Sequence, residues 1–108
     1  MADSRCSLVT CLVSVYFNIS VEKIKKGIGC NQEETLYRQI AIYMISKLNE
    51  IQPNIIMTHF NLRDETVLQY SISKIDALKE DGTAEGLSTC LEELGTLFAQ
   101  LERARTVK

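Results

Sequence analysis

The stretch PNIIMTHFNLRDETVLQYSISKIDAL, residues 53–78, decides how the chain reads. Pro53 suits the first turn of a helix, where its missing N–H breaks no hydrogen bond. Ile55, Ile56 and Phe60 give that short helix an apolar side before it breaks near Asn61. Asp64 then offers the short acceptor side chain of an N-cap. Behind it Leu68, Ile72 (with Ser71 beside it), Ile75 and Leu78 recur at helical spacing. Two helices joined by a tight turn make a candidate helix-turn-helix. In that motif the first residues of the second helix enter the major groove and read base edges. Here those residues are Glu65, Thr66 and Gln69, with Tyr70 and Ser73 further along.

Working outward, the segment Glu33 to Ile51 carries Leu36, Ile40, Tyr43, Met44, Leu48 and Ile51 on one helical face. Glu33 and Glu34 complement the helix dipole at its start. Before it, Ser20 caps a short helix with Val21 and Ile24, stopped by Gly27 and Gly29, and residues Gly27 to Gln32 read as a loop. Leu8, Leu12, Val15 and Ile19 predict one face of a first helix, although the β-branched Val9, Thr10, Val13 and Val15 would also suit a strand. On the C-terminal side Asp81-Gly82 ends the helix begun at Asp64, and Gly82 to Gly86 reads as a polar hinge. A final helix carries Leu87, Leu91, Leu94, Phe98 and Leu101, followed by a basic tail of Arg103, Arg105 and Lys108. The expectation is an all-α protein, a small helical bundle of five or six helices. Residues 1–81 form the helix-turn-helix domain, and residues 82–108 form the hinge and one extra C-terminal helix.

Composition agrees. One proline and five glycines in 108 residues are too few for a loop-rich β protein. The chain is long enough for a single core. Its net charge of −2 gives no global field toward phosphate, so any nucleic-acid site must be a local patch. The four cysteines (Cys6, Cys11, Cys30, Cys90) form no CxxC pair and His59 is the single histidine, which argues against zinc. Their spacing is no disulfide framework either, so reduced thiols in a cytoplasmic protein are expected. The apolar run Leu8–Phe17 is too short to span a bilayer and has no small-residue cleavage site after it. No nucleophile–base pair and no cofactor motif is visible, so no enzyme is expected.

The residues Tyr37-Arg38-Gln39-Ile40-Ala41-Ile42-Tyr43 resemble a stretch written R-Q-x-A-x-Y in the DNA-binding domain of the bacterial replication initiator DnaA. Phe60-Asn61-Leu62-Arg63-Asp64-Glu65-Thr66-Val67 looks like that family's signature F-G-G-R-D-H-T-T-V, and the pattern runs on without a gap to Lys74-Ile75. Upstream, Val13 to Ile19, with Tyr16 and Phe17, resembles the aromatic pair before the family's basic loop. The resemblance spans about Val13 to Leu78. It implies a Trp-repressor-like fold that recognises short boxes in double-stranded DNA at a replication origin. Carried over, Arg38 matches a phosphate-contacting arginine, Arg63 and Asp64 match the opening of the signature, and Thr66 matches a threonine that reads bases. Lys25 and Lys26 fall near the basic loop and would add phosphate contacts. Chemistry agrees with these roles, since arginine clamps phosphate and a threonine methyl packs on that of thymine.

The departures are specific. Glu65 stands where the signature has histidine, Val67 replaces the second threonine, and Asn61 and Leu62 replace the two glycines. The arginine-rich loop shrinks to Gly27-Ile28-Gly29-Cys30-Asn31-Gln32. No GxxxxGK[ST] occurs, so the chain carries no initiator ATPase. Each candidate also has a plainer reading: Asp64 as N-cap alone, Arg38 as a surface or salt-bridging arginine, Lys25, Lys26, Thr66 and Gln69 as solvated positions. Two functions from different classes follow. One is a DNA-binding domain of a replication or transcription factor. The other is an interaction module that kept the fold and lost DNA binding, with the final helix available to pair two copies.

Overall fold

The computed structural model describes residues 4–48, 50–81 and 86–106, with side chains through 104. Six helices and no strand are present among them: α1 (Ser4–Phe17), α2 (Val21–Lys26), α3 (Gln32–Ser46), α4 (Pro53–His59), α5 (Glu65–Asp81) and α6 (Leu87–Thr106). The expected hinge lies outside the described residues except for Gly86, as do Lys108 and the side chain of Arg105. The final helix continues past Leu101, through Arg103, to Thr106.

α3 is the central element, packed against every other helix. Its middle, Gln39 to Tyr43, is buried all round, together with Ile45. A helix surrounded by neighbours needs apolar residues on more than one face, which is why Ala41, Ile42 and Ile45 accompany the expected Ile40 and Tyr43. Leu68 and Ile75 of α5 join the same core, as do Leu87 and Leu94 of α6, so the C-terminal helix folds back onto the bundle. Leu97 and Leu101 stay 40% exposed.

Local chemistry sets most helix ends. Ser20 Oγ accepts from Lys23 N at 3.2 Å and starts α2. Gly27, at φ 73°, ends it with its N–H on Lys23 O. Asn31 and Glu34 form a reciprocal capping box at the start of α3, 2.8 and 3.1 Å.

Two expectations need correction. α3 ends at Ser46, not at Ile51. There Ser46 Oγ donates to Tyr43 O at 2.6 Å, taking a carbonyl of the last turn, and Glu50 adopts a left-handed φ of 67° before Pro53. Leu48 and Ile51 still pack on the core, but from the connecting segment. In α1 the inward face is Cys6, Val9, Thr10 and Val13, whereas Val15 is 82% exposed. Apolar residues surround this helix, so spacing alone does not fix which side faces the bundle. Packing against α3 and α6 selects it.

None of the four cysteines forms a disulfide; Cys6 is buried and Cys11 exposed.

Candidate nucleic-acid interface

The turn between α4 and α5 is built from backbone bonds the sequence is well suited to make. Asn61 has φ 54°. Its N–H reaches Thr58 O at 3.3 Å, and Leu62 N reaches Met57 O at 2.8 Å. These two bonds are a Schellman closure, which needs a left-handed residue after the helix cap. Asparagine, after glycine, tolerates that conformation best. Leu62 and Met57, both half-buried, are the apolar pair that accompanies this closure.

α5 begins as expected. Asp64 Oδ1 accepts from Val67 N at 3.2 Å, so Asp64 is an N-cap. Leu68, Ser71 and Ile75 turn inward and Ile72 packs beside them. Glu65, Thr66, Gln69, Tyr70 and Ser73 are exposed, as are Arg63 in the turn and Lys74 beyond. The candidate reading residues therefore share one solvent-facing edge.

Arg38 occupies the junction behind that edge. Its Nη2 donates to Phe60 O at 2.6 Å and to Lys25 O at 3.4 Å. Both carbonyls lie at helix C-terminal ends, those of α4 and α2, where the dipole is negative and a cation is favoured. The guanidinium thus ties the C-terminal end of α2 to that of α4. Burial draws its pKa below the ordinary arginine value, with Cys30 opposing that shift. Gly27 makes the arrangement possible, because a Cβ there would lie 2.8 Å from Arg38 Nε.

The other cations are divided. Lys23 pairs with Glu34 at 2.9 Å, and Lys26 pairs with Glu22 at 3.3 Å. The Lys23 ammonium, then the Asn31 backbone N–H, hold the Glu34 carboxyl below its usual range. Lys25 is half-buried beside the α2 end that Arg38 grips, and Arg63 is exposed. Lys25 and Arg38 are thereby brought to the turn, while Lys26 is engaged on α2. Lys74 of α5 is a further exposed cation. It borders a shallow groove with Cys30, Asn31 and Thr35, facing the start of α3.

His59 belongs to the core side of the same corner. Thr10 Oγ1 donates to Cys6 O at 2.7 Å, so its contact with His59 Nε2 at 2.9 Å is accepted from the ring N–H. Phe60 meets the ring edge-on. Burial, then the charge of Lys25, lowers the His59 pKa from its ordinary 6.5. The unfolded chain therefore takes up a proton more readily than the folded one in the window just below pH 6.5. Stability is expected to be complete above that pH and to decline as pH falls through it. Urea unfolding at pH 7.5 and at about pH 5.5 checks this; His59→Gln, which keeps an N–H for Thr10, should flatten the dependence, and an unchanged slope would contradict it.

Among the described residues no cluster of three or more histidine, cysteine or acidic side chains could hold a metal, and no helix is long and apolar enough to cross a membrane. No protein-family model matches the chain, and no curated protein sequence matches it.

Proposed function

We propose that this chain is a double-stranded-DNA-binding domain of the kind carried by the replication initiator, without the initiator's ATPase. The observation that carries the reading is the α4–turn–α5 unit. An asparagine-closed turn leads into an Asp64-capped helix that presents Glu65, Thr66 and Gln69 to solvent along one edge. The N-terminal turn of α5 enters the major groove. Thr66 meets a thymine methyl, Gln69 pairs with adenine, and Glu65 accepts from a cytosine amino group. Arg63 and Lys25 flank that turn and contact phosphate, and Lys26 adds a contact by exchanging Glu22 for the backbone. Arg38 acts as a positioning residue, since its guanidinium is already committed to two carbonyls. His59, half-buried, is held by the buried Thr10 hydroxyl and takes no part in the proposed contacts with DNA. Four free thiols fit a reducing cytoplasm.

The test is a duplex titration at low salt, repeated as salt rises. Three cations at the backbone predict a log–log slope of roughly −2 to −3, at about −0.9 per phosphate neutralised. Absence of binding at low salt, or a flat slope, removes the reading. The interaction module would then take its place, favoured by the pairing of Lys23 and Lys26 with glutamates.

A further inference from the structure

Away from the DNA-reading edge, α1, α3, α5 and α6 enclose a cleft of about 560 Å³. That size falls within the range of small-molecule sites. Its walls are apolar: Val9, Tyr43, Met44, Leu48, Leu91 and Phe98. Two lysines stand at it. Lys47 Nζ lies 5.0 Å and Lys79 Nζ 5.5 Å from the centre of the Tyr43 ring, and Lys79 also donates to the Tyr43 hydroxyl at 3.2 Å. That hydroxyl in turn donates to Asp76 at 2.9 Å, which holds the ring in place. Glu92 is the one acidic residue among the described residues that line the cleft, so that lining carries two ammonium groups against one carboxylate.

Gly95 adds a second observation. Glycine is the poorest helix former after proline, yet Gly95 sits inside the twenty-residue α6. No close approach requires it, because a Cβ there would meet nothing within 4 Å. What glycine provides at this position is room along the wall of the cleft.

We propose that the cleft binds a single-chain amphiphile with a carboxylate head, its apolar chain lying along α6 past Gly95 and its carboxylate between Lys47 and Lys79. Apolar walls supply affinity for the chain, and the two ammonium groups select an anionic head over a neutral or cationic one. The site is independent of the DNA-binding reading and shares no residue with it.

Dodecanoate below its micelle concentration is the probe, titrated into the full chain and followed by amide chemical shifts. Dodecanol and dodecyltrimethylammonium serve as matched heads. Saturable shifts at Tyr43, Lys47, Leu91 and Gly95 are expected, with dodecanoate bound tightest. Gly95→Leu should leave the helix content intact and weaken dodecanoate by about tenfold or more by filling the cleft, while Gly95→Ala stays within about twofold. The double substitution Lys47→Gln, Lys79→Gln should bring dodecanoate down to the affinity of dodecanol. Three results would overturn the proposal: shifts that never saturate and gather at exposed Leu97 and Leu101, equal binding of the cationic amphiphile, or unchanged affinity in Gly95→Leu.

Discussion

Arg38→Ala is expected to lower the free energy of unfolding by about 2–4 kcal/mol, measured by urea denaturation with an unchanged slope. The substitution removes a charged donor from Phe60 O and Lys25 O together. Carbonyls freed in a partly buried junction keep much of their desolvation cost, which is why the loss exceeds that of an ordinary surface bond. Lysine should rescue it only in part, since its ammonium ends one bond short of the place that Nη2 holds between the two acceptors. On the proposed DNA-binding reading, affinity should fall with stability and to the same extent on every sequence, because Arg38 would set the position of the turn and read no base. A variant as stable as the parent would show that the two carbonyls find other partners and that Arg38 is no tie.

Glu65→His is expected to act in the opposite direction on binding. Glu65 is exposed in the first turn of α5, and in the proposed complex its carboxylate helps only opposite a cytosine and repels phosphate elsewhere. Replacing it with histidine removes that repulsion and supplies the residue of the signature that this segment resembles. Affinity should rise by about 1–3 kcal/mol, with preference shifted toward initiator-type boxes. Fold stability should instead fall slightly, by about 0.3–1 kcal/mol, as a favourable charge leaves the helix N-terminus. Opposite signs in binding and stability separate a groove contact from a general improvement of the fold. Equal affinity for parent and variant at low salt would place Glu65 outside the interface.

The features legible in the sequence are those set by neighbours along the chain. Ser20, Gly27 and Asp64 are caps whose partners lie three or four residues away, and each does in the structure what its residue type foretold. α5 was legible because Leu68, Ile72, Ile75 and Leu78 fall on one face, even though Ser71 joins them there and Val67 and Tyr70 stay exposed. α1 lacked that division, so the side carrying Val15 was misplaced. The end of α3 was hidden for another reason. Leu48 and Ile51 continue the apolar pattern after the helix has stopped, and a core accepts them from either kind of backbone. The partners of Arg38 lie 13 and 22 residues away, beyond the reach of any periodicity. The cleft beside Tyr43 was equally invisible, since four helices contribute to it.

The approach of Gly27 to Arg38 makes two positions, eleven apart in the chain, share one fate. A methyl group at 27 meets two separate penalties, a left-handed backbone and the nearby guanidinium. Only the second depends on residue 38. Gly27→Ala should therefore destabilise the parent by about 1–2 kcal/mol, and by less once position 38 is alanine, leaving a coupling of about 0.5–1 kcal/mol in a double-mutant cycle. Strict additivity would mean that the side chain swings aside at no cost. With coupling of this sign, substitutions at 27 are tolerated best after the arginine has gone, so the order in which the two positions change decides which sequences the fold can reach.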